Sequence, residues 1–307
     1  STLAQQNLTP ETLWQLGRVT PLGISKDGKL LVYKVGTPSV EENKINSKYY
    51  TIPVQGGNAT LVEDYKSLLA DKNVSPDGKN LLFSKEVKVE KLLGKDIYPE
   101  LSKTTAQVYT GLDYRHWDTW NDGTHNHVFY SENKKDAVGI DIMPNEPFDA
   151  PQKPFGGDED YIWSPDGTKI IYVCKKKVGT AYATSTNTDL YEYDLATKIT
   201  KNLTEGNLGY DTHPTFSPKG DLSWLQMKRD GFEADKNDII VRHKGLDINL
   251  TAGWDGTVDS FTWSKDGEKV YFIAPIKGTK QLFEVNFPGL TKIAVRVTQL
   301  TDGDFDV

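Results

Sequence analysis

Short segments in which apolar and polar residues alternate recur along the chain, and polar turns separate them. The pattern is clear at residues 161–163, 261–263 and 270–273, which are rich in aromatic and β-branched side chains. A period of two is typical of β-strands, and no stretch keeps the 3.6-residue apolar stripe of a long helix. The pattern therefore predicts an all-β protein.

One turn motif, Ser-x-Asp-Gly, recurs through the sequence. It begins at Ser25, Ser75, Ser164, Ser217 and Ser264, with intervals of 50, 89, 53 and 47 residues. The fourth copy has lysine where the others have aspartate. Asp-Gly pairs tolerate the positive φ angles of tight turns, so each copy predicts a β-hairpin turn.

Each turn is followed by further predicted strands at similar distances. The strand directly after the turn covers residues 30–35, 81–84, 169–173, 222–225 and 269–273. The next strand covers residues 49–54, 127–130, 189–194, 238–242 and 281–285. A last strand ends in Leu-Thr-x-Gly at residues 203–206, 250–253 and 300–303. Four strands per repeat of about 50 residues predict a β-propeller of four-stranded blades. The chain holds about five blades, and residues 299–307 resemble the start of a sixth.

The long interval after Ser75 indicates an insert within blade two. The strand at residues 127–130 lies about twice as far from its turn motif as the corresponding strands of the other blades. An insert over residues 87–126 accounts for the excess. We therefore expect a single propeller domain over residues 1–307, opened by a short helix at residues 9–17. Thr9 can cap that helix, and Pro10 suits its first turn.

The repeats resemble the Ser-Pro-Asp-Gly-Lys repeats of TolB-like and prolyl-oligopeptidase-family propellers. Residues 8–18 resemble the helix that opens the propellers of dipeptidyl and acylaminoacyl peptidases. Residues 113–129 resemble the Arg-x-Trp-Asp…Asp-Gly…His insert of bacterial dipeptidyl-peptidase relatives. The resemblance covers most of the chain and favours the peptidase branch.

This resemblance implies a function that needs a second domain. In the family, the propeller restricts entry of peptide substrates to a C-terminal α/β-hydrolase domain, which carries the catalytic Ser, Asp and His. The sequence contains no Gly-x-Ser-x-Gly motif, so no catalytic residue is assigned and the chain alone is expected to be inactive. The alternative is a TolB-like periplasmic propeller that acts as a protein-binding module.

The insert carries the candidate substrate-binding residues. Arg115, His116 and Trp117 form its densest cluster, and an arginine can bind a peptide carboxylate through two hydrogen bonds. A free peptide amino group needs acceptors, and Glu86, Glu90, Glu100 and Asp113 lie in or directly before the insert. Of these, Glu86 and Asp113 are our candidates. The alternative is structural, with Trp117 and Trp120 packing the insert onto blade two and Arg115 in a structural ion pair.

Composition and charge exclude several other classes of function. Lys plus Arg total 36 and Asp plus Glu 43, for a net charge of −7, which disfavours nucleic-acid binding. No apolar run reaches the about 18 residues that membrane insertion requires. Cys174 is the single cysteine, which excludes an internal disulfide and predicts a buried strand residue. His125 and His127 are expected to pack in a strand, and neither a metal nor a cofactor is expected.

The first residues suggest a location outside the cytoplasm. A small residue followed by Gln5 and Gln6 is typical of the segment around a signal-peptidase site. We therefore expect a periplasmic or secreted protein.

Overall fold

The structure, a computed structural model, describes residues 7–112, 114–291 and 294–307. The candidate binding residue Asp113 lies outside the described residues. So do the first six residues, on which the expectation of export rests. The chain divides into two units after Lys72, and each is described by itself. No helix among the described residues is both long enough and apolar enough to cross a membrane.

The first unit opens with helix α1 (Pro10–Gln15). The Thr12 amide donates a hydrogen bond of 3.2 Å to Thr9 Oγ1, which confirms the predicted cap. The helix is shorter than predicted because Leu16 already has an extended backbone. One antiparallel sheet follows, in the order β1 (Arg18–Ile24), β2 (Leu30–Ser39), β3 (Lys44–Pro53) and β4 (Thr60–Val62).

The second unit begins with the blade that carries the insert. Its first strand is reduced to a bridge between Val74 and Leu81. The elements that follow are β5 (Asn80–Lys88), α2 (Gly94–Ile97), β6 (Arg115–His116), β7 (Thr119–Trp120), β8 (Thr124–Glu132) and β9 (Ile140–Asp141). Strands β5, β8 and β9 form the sheet, and β6 pairs only with β7.

Three further sheets of four antiparallel strands complete the second unit. The third blade comprises β10 (Tyr161–Trp163), β11 (Lys169–Cys174), α3 (Gly179–Thr184), β12 (Asp189–Asp194) and β13 (Thr200–Asn202). The fourth comprises β14 (Asp211–Phe216), β15 (Leu222–Gln226), β16 (Asp238–His243) and β17 (Leu246–Asn249). The fifth comprises β18 (Ser260–Trp263), β19 (Lys269–Ile276), β20 (Thr279–Asn286) and β21 (Val297–Gln299). Over the described residues, the five blade sheets follow one another in sequence order, which confirms the predicted all-β propeller blades.

The insert is slightly shorter than predicted. Strands β5 and β8 stay paired as far as Lys88 and Thr124, so the insert covers residues 89–123 rather than 87–126. The difference arises because the strand pair continues beyond the apolar positions that marked it in the sequence.

Hydrogen bonds within the Ser-x-Asp-Gly turn explain why the motif recurs. In the third blade, Ser164 Oγ donates to Asp166 Oδ1 at 2.6 Å and accepts a bond from the Lys169 amide. Gly167 has a φ of 69°, a conformation that glycine adopts readily. In the fourth blade, Asp221 replaces the missing aspartate, since its carboxylate lies 3.3 Å from the hydroxyl of the motif serine.

The Leu-Thr ending of a blade also closes a hydrogen-bond network. Thr251 Oγ1 donates to Asp238 Oδ1 at 2.7 Å and accepts from the Ile239 amide. Asn249 Oδ1 accepts from the Thr251 amide. Thr204 is bonded in the same way in the third blade. The asparagine and threonine of this ending therefore have a local structural role.

Alternate residues of the central strand β11 join two apolar clusters, as the two-residue period of a strand requires. Ile170, Tyr172 and Cys174 pack in a cluster with side chains of blade two, whereas Ile171 and Val173 pack in a cluster with side chains of the fourth blade. Burial raises the pKa of the Cys174 thiol well above its usual range. The prediction of a buried strand cysteine is confirmed.

Candidate functional site

A cavity of about 650 Å³ lies where the insert meets the start of β8 and two loops of the second unit. Its wall includes Glu86 from β5, Arg115, His116 and Trp117 from the insert, and His125 from β8. The loop after β9 contributes Asp149 and Lys153, and the segment around α3 contributes Lys177 and Tyr182. The cavity therefore combines rings with charged groups of both signs.

The hairpin of β6 and β7 presents the predicted binding residues. Arg115 pairs with Trp120 and His116 pairs with Thr119, so Trp117 lies in the tight turn between the strands. Trp117 has a φ of 49°, which is rare for a large side chain. Its ring is two-thirds exposed and contacts the rings of His116 and Phe155.

A cluster of aromatic rings supports this hairpin from within the insert. The ring of Tyr114 lies 5.9 Å from that of Trp120 and 5.5 Å from that of Tyr109. Tyr109 also donates a 2.6 Å hydrogen bond from its hydroxyl to the Asn121 carbonyl. The guanidinium carbon of Arg115 lies 5.7 Å from the Trp120 ring centre, a cation–π geometry. The hairpin is thus held by contacts inside the insert.

His125 joins the insert to the loop after β9. Its Nε2 atom lies 3.0 Å from Glu90 Oε2, and its Nδ1 atom lies 3.2 Å from Asp149 Oδ2. Burial by itself lowers the pKa of His125, but the bonds to Asp149 and Glu90 and their negative charges outweigh it. The pKa of His125 is therefore raised, which favours an imidazolium between two carboxylates.

Asp149 is the most heavily bonded carboxylate on the wall. It accepts from the Asn126 amide at 2.8 Å and lies 3.2 Å from Lys153 Nζ, besides its bond to His125. Burial raises the pKa of Asp149, but these bonds and the Lys153 charge outweigh it and lower the pKa. Lys153 also lies 3.9 Å from Glu86, whose side chain is 68% exposed.

Gly123 fixes the base of the insert. Its carbonyl accepts hydrogen bonds from the amides of Val89 and Glu90, at 2.9 and 3.1 Å. Its φ is +85°, and a Cβ atom at this position would lie only 2.3 Å from the Glu90 carbonyl oxygen. Only glycine fits here, so Gly123 keeps Glu90 within reach of His125.

Comparison with known proteins shows that the chain is similar to dipeptidyl peptidases. Dipeptidyl-peptidase 5 of Porphyromonas gingivalis is 35% identical to this chain, over 98% of the chain and 50% of the relative. Dipeptidyl-peptidase 5 of Porphyromonas endodontalis is 34% identical, over 97% of the chain and 49% of the relative. This chain resembles the propeller part of prolyl-oligopeptidase-family peptidases. The resemblance that the repeats predicted is confirmed.

A solved structure of an acylaminoacyl peptidase shows the same fold. The enzyme from Pyrococcus horikoshii matches with a TM-score of 0.60 at 13% identity, over 95% of this chain and 47% of that one. No protein-family profile matches the chain. The chain spans about half the length of the curated relatives it matches.

The structure brings together four of the five residues that the sequence proposed for binding. Glu86, Arg115, His116 and Trp117 all line the one cavity, and Asp113 lies outside the described residues. The ring of Trp117 contacts that of Phe155, on the loop before blade three. Arg115 forms no ion pair with a described carboxylate. The roles of these residues in binding stay predictions.

Sequence reasoning missed the residues that complete the wall. Asp149, Lys153 and Tyr182 come from segments outside the insert, and no repeat or motif marks them. His125 was expected only to pack in a strand, and it does so, with 8% of its surface exposed. His125 also contacts Glu90 at the base of the insert, which the sequence did not predict. Among the described residues, no group of three His, Cys, Asp or Glu side chains is placed to hold a metal ion.

Proposed function

We propose that this chain is the propeller part of an exported serine dipeptidyl peptidase and that it gates and positions peptide substrates. The observation that carries the proposal is the convergence of Glu86 and Arg115 on one cavity, in a chain 35% identical to a dipeptidyl-peptidase 5. The hydrolysis itself would take place in a C-terminal α/β-hydrolase domain with a catalytic serine.

Glu86 is the carboxylate on the cavity wall that is best able to accept a peptide ammonium group. Glu90 and Asp149 are engaged by His125. Glu86 is largely exposed, and its one ion pair among the described residues is a long one, 3.9 Å to Lys153 Nζ. A carboxylate with free lone pairs can accept the charge-assisted bonds of an amino terminus.

Arg115 supplies the complementary donor. Its guanidinium lies beside a ring and is not neutralised by a described carboxylate. It can therefore donate two parallel hydrogen bonds to a carbonyl or carboxylate of the bound peptide. A peptide held by both groups has a fixed direction in the cavity.

The proposal is tested with the full-length protein and dipeptidyl-4-nitroanilide substrates. We expect Glu86→Gln and Arg115→Ala each to lower kcat/KM about 10-fold or more, as loss of a charged hydrogen bond does. Glu132→Gln and Arg296→Ala change exposed residues outside the cavity and serve as matched controls. Blocking the substrate's amino group by acetylation is expected to abolish the difference between wild type and Glu86→Gln.

Two results would contradict different parts of the proposal. If Arg115→Ala and Glu86→Gln keep the kcat/KM of the controls, the cavity does not contact substrate. If the wild-type protein releases no dipeptide, the peptidase assignment is wrong. Cell fractionation tests export, since an exported protein is expected in the periplasm or the medium rather than in the cytoplasm.

A further inference from the structure

Two large apolar side chains project beside the cavity without being packed into the core. Trp117 is 66% exposed and Phe155 is 77% exposed. Their ring centres are 5.6 Å apart with an angle of 66° between the ring planes, so they meet edge to face. They come from separate segments, the hairpin turn and the loop after β9. Together they form an open aromatic corner.

Both segments hold their rings in fixed positions. The flanking pairs Arg115–Trp120 and His116–Thr119 define the turn at Trp117, which has a left-handed backbone. A bulky residue in this conformation costs free energy, and such residues are concentrated at functional sites. The fold therefore directs this ring outwards at a cost in stability.

The loop that carries Phe155 is tightly bonded on both sides of the ring. The Gly156 amide donates to the Gln152 carbonyl at 2.7 Å, and the Gln152 amide donates to buried Asp160 at 3.0 Å. A Cβ atom at Gly156 would lie 2.1 Å from Asp160 Oδ2. Exposure of Phe155 thus reflects a defined loop rather than a loose one.

We propose that Trp117 and Phe155 form a subsite for one large apolar side chain of the bound peptide. The inference rests on the proposed function, since the peptide backbone would lie in the adjoining cavity. Trp117 lines that cavity, and so does Pro154, the residue before Phe155. A flat or long apolar side chain that leaves the cavity at this point meets both rings and removes their exposed surface from water.

The charged groups of the cavity explain why the occupant is a peptide side chain rather than a purely apolar ligand. Glu86 and Arg115, which line the same cavity as Trp117, can bind the polar peptide backbone. The aromatic corner adds apolar area beside these polar groups. This arrangement, a few polar groups next to an apolar surface, is typical of pockets that select a ligand by both chemistries.

Binding of uncleavable peptide analogues to the full-length protein tests this subsite. The probes are tripeptide analogues in which methylene groups replace the amide nitrogens, with phenylalanine or glycine side chains at the first or second position. We expect one phenylalanine analogue to bind wild type about 10-fold more tightly than its glycine counterpart, which corresponds to about 1.4 kcal/mol. Calorimetry measures both dissociation constants.

Three variants and one control separate the rings from the backbone. Trp117→Asn suits a left-handed backbone but removes the ring, and Phe155→Ala removes the second ring. Both are expected to reduce the phenylalanine preference, the ratio of the two dissociation constants, to less than about 2-fold. Trp117→Tyr is expected to retain most of the preference. Leu246→Ala truncates an exposed apolar residue in the fourth blade and is expected to retain all of it.

Each outcome bears on a defined statement. If the glycine and phenylalanine analogues bind wild type equally, the subsite is wrong while the proposed function stands. If neither analogue binds, both are wrong. If the variants change the oligomeric state or the docking of another domain, measured by light scattering and limited proteolysis, and keep the preference, the corner is a protein contact instead.

Discussion

Replacement of Gly123 by alanine tests the structural basis of the candidate site. The new Cβ atom would lie 2.3 Å from the Glu90 carbonyl oxygen and 2.9 Å from the Glu90 carbonyl carbon. Both are backbone atoms, so no flexible side chain can move aside. The backbone at Glu90 must shift, and the contact of Glu90 with His125 must change with it.

Two separate effects determine how strongly Gly123→Ala destabilises the base of the insert. Alanine at a φ of +85° costs about 1 kcal/mol relative to glycine. Separation of the two segments at the base of the insert removes the hydrogen bonds of the Val89 and Glu90 amides to the Gly123 carbonyl, each worth about 1 kcal/mol. We therefore expect a local destabilisation of about 3 kcal/mol, which is roughly a 100-fold change in an opening equilibrium.

Hydrogen exchange is the suitable assay because the effect is local. Exchange of the Val89 and Glu90 amides is expected to accelerate roughly 100-fold in Gly123→Ala. Amides of the third blade, such as those of β12, are expected to keep their rates. Peptide binding in the cavity is expected to weaken in parallel.

Gly111→Ala provides a matched control within the same insert. A Cβ atom at Gly111 would meet no other atom within 4 Å, and its φ is not in the left-handed region. If both alanine variants exchange at the same rate at Val89 and Glu90, the close approach at Gly123 does not hold the insert, and the reasoning is refuted.

Substitutions at three further positions test buried polar groups. Because the pKa of His125 is raised, its contribution to stability is complete below about pH 6.5 and is lost as pH rises through the raised pKa. In urea unfolding, His125→Gln is expected not to show this loss of stability with rising pH. Burial raises the pKa of Asp211 to about 6, although hydrogen bonds from its neighbours oppose the shift, so the free energy of unfolding should fall as pH rises from about 4 to 6. Asp211→Asn is expected to remove this pH dependence, and an unchanged pH profile would contradict the raised pKa of Asp211. Thr251→Val leaves Asp238 and the Ile239 amide without their shared hydroxyl and is expected to cost about 2 kcal/mol in chemical unfolding; Thr251→Ser keeps the hydroxyl and is expected to recover most of the loss.

The blades could be predicted because their determinants are local in sequence. The turn at Ser164 depends on a hydroxyl, a carboxylate and a glycine within four residues, so the pattern is visible without the structure. The alternating burial of β11 likewise follows from the two-residue period of a strand. The bounds of the insert were less accurate since strand pairing continues through polar residues such as Lys88.

The candidate site could be predicted only in part because its contacts join distant segments. Arg115, His116 and Trp117 were found because they form a dense unusual cluster in an insert. His125 bonds to residues 35 positions before it and 24 positions after it. Neither Glu90 nor Asp149 belongs to a repeat, so nothing in a single sequence indicates that they meet.

The environment of Arg115 bears on whether the insert binds a ligand or only packs. Arg229 and Arg242 also lie over aromatic rings, and each forms a salt bridge with an aspartate, Asp235 and Asp247 respectively. Arg115 lies over Trp120 in the same way, but no described carboxylate neutralises it. A structural arginine gains stability from such a partner, whereas a binding arginine needs its donors available for a ligand. Arg18 also lies over a ring, that of Trp14, without such a partner among the described residues, so the position of Arg115 on the cavity wall is what favours a binding role. The effect of Arg115→Ala on kcat/KM measures that role directly.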